Sequence, residues 1–309
     1  MKIYAPDYYN EFCCIADKCR HNCCIGWEID IDSSAYDYYR TVVGDMGERF
    51  ARDIHIVDGT PCFRLGDDDR CPFLNSNNLC DIITTLGDDK LCDICTDHPR
   101  YRNYYSSRTE IGLGLCCEEA ARIILTHQSK TQLMCIDEDD DIAIDEQEED
   151  TFFAFRQKAF DIVQDRTTNI TDRLAKLCRD FDISITERSL TEWADILYSL
   201  ERLDESWNDR LDMLRKDTTL STAILSLNPI SAEQLLVYYL YRHMPDGMYD
   251  SRMSERMAFA IVSTCIIFAI ASGENKTDTD NLADIARMYS AEIEYSDENI
   301  DNILDVICK

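Results

Sequence analysis

The chain has 309 residues, enough to bury a substantial core without disulfide bonds, yet it carries 16 cysteines, 12 of them before residue 118. Its 31 basic and 60 acidic residues give a net charge of −29, which argues against nucleic acid as a partner because phosphate contacts need a basic surface. The first residues contain no apolar run of the signal-peptide type and no stretch approaches the roughly 20 apolar residues that span a membrane, so we expect a cytoplasmic protein with no membrane partner.

Residues 1–136 form an irregular, cysteine-rich region in which Gly, Pro, Asn and Asp break short apolar stretches. Within it, helix starts are predicted at Asp32 or Ser33 and again after Cys117, and Leu79 to Leu86 fits a short strand or a helical turn. Residues 137–150, DEDDDIAIDEQEED, are an acidic run. The run predicts a solvated connection between two domains.

Residues 151–309 carry apolar residues with a period near 3.6 and predict an α-helical domain. The segment from Arg256 to Ala271 is apolar nearly all round, which predicts a central buried helix, and its most apolar part, Met257 to Ala271, is shorter than a membrane span. The predicted fold class is therefore mainly α, with an irregular metal-binding N-terminal region packed on an α-helical bundle.

The cysteines before residue 118 are clustered. One cluster holds Cys14, Cys19, Cys23 and Cys24, and the other holds Cys71, Cys80, Cys92, Cys95, Cys116 and Cys117. Cys92-x-x-Cys95 places two thiolates on one turn, and such density without an export signal predicts a metal centre rather than disulfides. The spacings match no zinc ribbon, which favours an iron–sulfur cluster over zinc. Zinc stays open, with His21 or His98 as a possible further ligand.

Several motifs together resemble the flagellin lysine-N-methylase family, whose N-terminal part belongs with cysteine-rich zinc- or iron-chelating proteins. They are Phe12-x-Cys14, Cys19, Cys23-Cys24-x-Gly26-Trp27-x-Ile29-x-Ile31-Asp32, Cys71-Pro72-Phe73-Leu74-Asn75, Leu79-Cys80-Asp81-Ile82, Leu86-Gly87, Leu91-Cys92-x-x-Cys95-x-Asp97-x-Pro99-Arg100, Cys117-x-Glu119-Ala120-Ala121-Arg122, Tyr241-Arg242-His243 and Glu292 to Asn299. One departure is Tyr101, where the family usually has His. The matches are spread over almost the whole chain.

The resemblance implies methyl transfer from S-adenosylmethionine to lysine side chains of flagellin, or of another lysine-bearing protein surface, and a [4Fe-4S] cluster. The cysteines at motif positions, and hence the candidate ligands, are Cys14, Cys19, Cys23, Cys24, Cys71, Cys80, Cys92, Cys95 and Cys117. Cys13, Cys62, Cys116 and Cys135 fall outside the motifs. Nine candidates exceed the four thiolates that one cluster needs.

Lysine methylation needs a neutral amine that is aligned with the methyl carbon. The candidates for recognising or deprotonating that amine are Tyr241, Glu292, Glu294 and Tyr295, and a purely structural role is equally open for each. No G-x-G-x-x-G follows a strand, so residues that bind S-adenosylmethionine are not assigned. One hypothesis is that an open iron of the cluster binds its amino and carboxylate groups.

Two other classes of function stay open. The chain could be a non-catalytic zinc- or iron-chelating interaction module, or a redox protein that uses the cluster for electron transfer. A redox role predicts a compact ferredoxin-like cysteine spacing, which the sequence does not have. A chelating module predicts motifs in the first part of the chain only, whereas this chain has further motifs near its C-terminal end.

Overall fold

The computed structural model describes residues 2–138, 147–215, 219–220, 222, 228–275 and 278–308. The strands are β1 (Lys2–Pro6), β2 (Ile54–Val57), β3 (Thr60–Phe63), β4 (Arg100–Tyr104), β5 (Arg108–Leu113) and β6 (Leu133–Glu138). The helices are α1 (Ser33–Tyr39), α2 (Asp45–Asp53), α3 (Asp81–Leu86), α4 (Asp93–Asp97), α5 (Glu118–Thr126), α6 (Gln147–Val163), α7 (Ile170–Asp180), α8 (Leu190–Tyr198), α9 (Trp207–Leu214), α10 (Pro229–His243), α11 (Gly247–Asp250), α12 (Met253–Gly273), α13 (Thr279–Tyr289) and α14 (Asp297–Ile307). The prediction of a mainly α protein is confirmed.

The chain divides into two compact units. The cysteine-rich unit is Cys13–Tyr101, and the helical unit combines Met1–Phe12 with Arg102–Lys309. These boundaries differ from the predicted 1–136 and 151–309. The reason is that β1 precedes the cysteine-rich unit in the sequence, β6 follows it, and the two strands pair with each other. Of the predicted acidic connection, residues 139–146 lie outside the described residues, and α6 begins at Gln147.

A four-stranded sheet with the order β4-β5-β1-β6 occupies residues that the sequence analysis treated as irregular. β1 runs parallel to β5 and antiparallel to β6. β5 is buried along nearly its whole length and therefore lacks the alternation of apolar and polar residues that marks a half-exposed strand. This lack of alternation explains why the prediction missed the sheet.

The cysteine-rich unit has its own apolar core. The ring of Tyr39 stacks on Phe50 with centroids 4.2 Å apart, and Phe73 packs between Phe50 and Phe63 at 4.8 and 5.0 Å. Aromatic burial of this kind stabilises even a small domain. This unit therefore has a source of order besides any metal that it binds.

Helix α12 is the centre of the helical unit. It runs for 21 residues, longer than the predicted segment, and by length and composition alone it could cross a membrane. Residues 256–271 are nevertheless all buried by protein, against α9, α10, α13 and α14. The prediction of a central buried helix is confirmed, and the observed helix extends beyond both predicted ends.

Two buried carboxylates in the helical unit are neutralised by arginines. Glu233, which is fully buried, accepts hydrogen bonds from Arg173 at 2.8 Å and from Arg166 at 2.8 Å. Glu110, also fully buried, accepts two from Arg156 at 2.6 and 2.7 Å. A buried charge without its partner is costly.

We therefore expect Glu233→Gln to destabilise the protein by about 3–5 kcal/mol, since Arg173 would stay buried without a counter-charge. Urea unfolding followed by circular dichroism measures this change. Asp180→Asn, which breaks the more exposed pair with Lys176, is the control and should leave the midpoint nearly unchanged. Equal midpoint shifts for the two variants would contradict the prediction.

Candidate metal centre and candidate active site

Five of the nine predicted metal ligands lie around one core in the cysteine-rich unit. Cys71 and Cys92 are buried in it, and Cys24, Cys80 and Cys95 are partly buried and packed against it. The five come from three separate segments of the sequence. We refer to Cys24, Cys71, Cys80, Cys92 and Cys95 as the thiol group.

Backbone hydrogen bonds bring these segments together. The amide of Cys71 donates to the carbonyl of Cys24 at 2.9 Å, and Leu74 pairs with Cys80 in an antiparallel bridge. The amide of Cys95 donates to the carbonyl of Cys92 at 3.0 Å, so that this pair lies on one helical turn. The thiol group is thus fixed by local backbone structure rather than by disulfides, since none of the 16 cysteines, all of which lie in the described residues, is disulfide-bonded.

Polar side chains from the same motifs hold the loops that carry the thiols. Asp32, the predicted cap, accepts the amide of Ala35 in α1 and the amide of Asp93 at the start of α4, both at 2.9 Å. Asp81 binds Arg49 at 2.7 Å and the amide group of Asn75 at 2.8 Å. The motif carboxylates therefore position the cysteine loops.

Burial and mutual proximity perturb the thiols. Burial raises the pKa of Cys71 to about 12, and the neighbouring thiols of Cys24, Cys80 and Cys92 act in the same direction. The hydrogen bond between Cys92 and Cys95 lowers the pKa of Cys92 and raises that of Cys95. Cys71 and Cys95, whose pKa values are raised, ionise readily only when a nearby cation compensates the charge.

A single-ion site is not formed: within the described ranges, no three His, Cys, Asp or Glu side chains meet closely enough to hold one metal ion. Thiolates of an iron–sulfur cluster bind different iron atoms and so stand farther apart than the ligands of one zinc ion. The donor type and number in the thiol group fit a four-thiolate cluster.

The other predicted ligands do not belong to the thiol group. Cys14, Cys19 and Cys23 are not among the residues packed on this core, and the Cys19 thiol donates to the carbonyl of His21 at 3.2 Å. The Cys23 thiol lies beside the group, where its hydrogen bond with Cys24 lowers the pKa of Cys24. Cys117 belongs to the helical unit, where it directly precedes α5.

His98, a predicted further ligand, lies in the same unit with its ring 5.8 Å from that of Trp27. Its Nε2 is buried and has no hydrogen-bond partner in the part of the chain that the structure describes. Burial lowers the pKa of His98 to about 4, so the imidazole is neutral at pH 7.

A neutral buried histidine makes stability depend on pH. In the unfolded chain a histidine takes up a proton near pH 6.5, whereas folded His98 does so only near pH 4. The contribution of neutral His98 to the free energy of unfolding is therefore fully present above pH 6.5 and is lost as the pH falls from 6.5 towards 4. We expect the free energy of unfolding to decrease by about 2 kcal/mol more between pH 7 and pH 5 in the wild type than in His98→Gln. Urea titrations of both proteins at the two pH values measure the difference, and parallel losses would contradict it.

The second candidate site lies in the helical unit, at a π-helical turn. Ser290–Glu294 forms this turn directly after α13, and π turns are frequent at functional sites. Glu294 is buried, and its Oε2 accepts hydrogen bonds from the Tyr238 hydroxyl at 2.8 Å and from His243 Nε2 at 2.6 Å. Arg242 lies 3.3 Å from the same oxygen.

Arg242 links this buried carboxylate to the surface. It donates to the Tyr238 hydroxyl at 2.8 Å, and its guanidinium lies 5.2 Å from the centre of the Tyr295 ring. Tyr295 is 54% exposed, and its hydroxyl lies 2.9 Å from the thiol of Cys116. We call Cys116, Tyr238, Arg242, His243, Glu294 and Tyr295 the Glu294 cluster.

The charges in the cluster are well defined. Burial alone would raise the pKa of Glu294, but the charge of Arg242 and the hydrogen bond from His243 more than offset it and hold that pKa below its usual range. Burial lowers the pKa of His243, which is therefore neutral and donates from Nε2. Glu294 Oε1 and the buried Tyr239 hydroxyl have no hydrogen-bond partner among the described residues. The cluster thus contains a buried, ionised carboxylate.

The predicted catalytic residues fall into two pairs. Glu294 and Tyr295 belong to the Glu294 cluster. Both oxygens of Glu292 accept backbone amides, from Leu203 at 2.9 Å and Asp204 at 2.8 Å, and the buried Tyr241 hydroxyl donates to the carbonyl of Ile111 at 3.2 Å. These contacts favour structural roles for Glu292 and Tyr241.

Sequence reasoning did not name Tyr238, Arg242, His243 or Cys116 as site residues. Tyr238 and Arg242 are four residues apart on α10, a spacing that places them on one helix face, and Arg242-His243 is part of a motif already recognised. Those two signals could have identified three of the four. Cys116 is distant in sequence, and only the tertiary fold brings it to Tyr295.

The second candidate site therefore belongs to a helical domain that is built around a buried carboxylate. Residues 222–309 match the FliB lysine N-methylase C-terminal domain. Over these residues the chain is similar to the flagellin lysine-N-methylase family, and the predicted resemblance is confirmed there. Glu294 and most of its cluster lie inside the matched residues.

Curated relatives agree with this assignment. A lysine-N-methylase of Salmonella typhimurium is 28% identical over 131 residues, and the flagellar biosynthetic protein FliU of Salmonella muenchen is 27% identical over 131 residues. Each match covers 40% of this chain, but 33% of the first relative and 78% of the second. The similarity is thus less extensive than the motifs suggested. No solved structure is significantly similar to the chain.

Proposed function

We propose that this protein transfers methyl groups from S-adenosylmethionine to lysine side chains of a protein substrate, with flagellin as the substrate. The observation that carries the proposal is the Glu294 cluster, which occupies the domain matched by the lysine N-methylase family. The names of the curated relatives support the same reaction class. We propose the cytoplasm as the place of action.

In this reaction the lysine nitrogen attacks the methyl carbon, the electrons of the carbon–sulfur bond return to sulfur, and one proton leaves the amine. Glu294 has a lowered pKa and is a weak base, so we assign it to electrostatic attraction and alignment of the lysine rather than to proton abstraction. Tyr295 reaches the surface and contacts the same network, which makes it the candidate for contact with the amine.

We further propose that the thiol group holds a [4Fe-4S] cluster, for which four of its five thiols suffice. When bound, such a cluster supplies iron that can act as a Lewis acid or exchange an electron. The residues of this chain supply the thiolates, and Asp32 and Asp81 fix the loops that bear them. Binding residues for S-adenosylmethionine stay unassigned.

A second candidate function is a chelating module that acts without turnover. The thiol group by itself favours it, because metal binding needs nothing from the helical unit. The two candidates differ in whether Glu294 and Tyr295 have a chemical role.

Incubation of the anaerobically purified protein with methyl-labelled S-adenosylmethionine and unmethylated flagellin tests the proposal. We expect label on flagellin lysines, identified by mass spectrometry of tryptic peptides. Flagellin with its lysines acetylated beforehand is the matched control and should stay unlabelled. Bound metal with no label on any protein would overturn the enzyme and favour the chelating module.

A further inference from the structure

The segment between α8 and α9 is held in place by side chains of the motif that runs from Glu292 to Asn299. Residues 201–204 lie in this segment, and Leu203 is 61% exposed. Both oxygens of Glu292 accept backbone amides of the segment, from Leu203 at 2.9 Å and from Asp204 at 2.8 Å. A buried carboxylate thus fixes two consecutive amides of a surface segment.

Asn299 holds the same segment at a second point. Its Oδ1 accepts the amide of Glu201 at 2.9 Å, and its Nδ2 donates to the carbonyl of Glu201 at 2.9 Å and to that of Glu292 at 2.8 Å. The side chain of Asn299 is buried, and a buried amide group that loses its partners is costly. The hydroxyl of Ser296 adds a hydrogen bond to the carboxylate of Glu201 at 3.0 Å. We call Glu292, Ser296 and Asn299 the clamp.

Tyr295 lies within this clamped stretch. It follows the π turn that ends at Glu294 and directly precedes Ser296, whose hydroxyl caps α14 by accepting the amide of Asn299 at 3.2 Å. The backbone of Tyr295 is therefore anchored on one side by the hydrogen bonds of Glu294 and on the other side by the clamp. Its ring is 54% exposed, and its hydroxyl accepts the thiol of Cys116 at 2.9 Å. The position of this exposed ring thus depends on the anchors of its backbone.

We infer that Glu292 and Asn299 are positioning residues, which act on the methylation site by holding Tyr295 in place. Their buried polar groups fasten the motif to residues 201–204, so the loss of either one lets the backbone at Tyr295 move relative to the Glu294 cluster. A displacement of about 1 Å can cost about a hundredfold in rate. The kinetic part of this inference rests on the proposed function, whereas the effect on the position of Tyr295 does not.

The reactivity of Cys116 reports on Tyr295 without any methyl transfer. Burial raises the pKa of Cys116 to about 11, so its thiol reacts slowly with iodoacetamide while Tyr295 stays in contact with it. We expect Asn299→Ala to raise the rate of Cys116 alkylation in the full-length protein at least about threefold, as measured by mass spectrometry of its peptides. Glu292→Gln keeps the size of the side chain and should raise this rate as well.

The matched control is Gln234→Ala. Gln234 is also buried, and its Nε2 donates to the carbonyls of His127 at 3.0 Å and Ser129 at 2.8 Å, so it fastens a different segment of the same unit. This variant should destabilise the protein but leave the alkylation of Cys116 unchanged. Equal alkylation of Cys116 in the wild type and in both clamp variants, or the same increase in the control, would overturn the inference.

A double-mutant cycle tests the kinetic part. Asn299→Ala and Tyr295→Phe should each lower kcat for methylation of flagellin about tenfold, and the double variant should lower it by about the same factor, because Asn299 acts through Tyr295. Additive effects, which would give a loss of about a hundredfold, would overturn the inference. Absent methylation by the wild type would instead remove the proposed function, and the alkylation of Cys116 would still decide whether the clamp holds Tyr295.

Discussion

Glu294→Gln should lower kcat/KM for lysine methylation by about a hundredfold or more, while S-adenosylmethionine alone binds as before. Glutamine keeps the size and hydrogen-bonding shape of the side chain but removes the charge that Arg242 and His243 stabilise. Labelled methyl transfer to flagellin under initial-rate conditions measures the effect.

Because Glu294 is buried, its substitution also affects stability, and a second variant separates the two effects. Tyr295→Phe removes one hydroxyl from a side chain that is 54% exposed and should leave thermal unfolding unchanged while still slowing methylation. The control is Glu274→Gln, which breaks the largely buried ion pair between Glu274 and Arg210 in the same unit. This variant should retain the wild-type rate. Full activity in both Glu294→Gln and Tyr295→Phe would remove the Glu294 cluster from the mechanism.

The double variant Cys92→Ala and Cys95→Ala should abolish iron binding, because the two cysteines share one helical turn and their loss leaves only three members of the thiol group. Cys80→Ala, at a less buried member of the thiol group, should lower iron content with less effect on folding. Inductively coupled plasma mass spectrometry of anaerobically purified proteins measures the metal.

The matched control for both is Cys62→Ala. Cys62 is buried in the same unit but lies outside the motifs, and its thiol is hydrogen-bonded to Asp30 at 3.1 Å. It should keep the wild-type iron content. Loss of iron in Cys62→Ala together with retention in the double variant would show that the thiol group does not contain the ligands.

The helices were predictable because their signals are local. Asp32 caps α1 as its position before the helix indicated, and the uniformly apolar segment from Arg256 to Ala271 became the buried α12. The sheet was not predictable in the same way, since β5 is buried on both sides and β1 finds its partners more than a hundred residues away.

The two candidate sites show the same limit. Residue type and spacing predicted cysteine ligands, but Cys24, Cys71 and Cys92 come together only in the tertiary fold, which no spacing encodes. Glu294 and Tyr295 were recognisable from their motif, whereas the contact of Tyr295 with Cys116 joins residues 179 apart. The sequence thus predicts the kind of chemistry at each site better than it predicts which residues form the site.

The most direct test of the account is the content of iron and acid-labile sulfide in wild-type protein prepared without oxygen. If the thiol group holds a [4Fe-4S] cluster, we expect about four iron and four sulfide per chain and a charge-transfer absorption that dithionite bleaches. Stoichiometric zinc without sulfide, or no bound metal in a protein that still methylates flagellin, would contradict it.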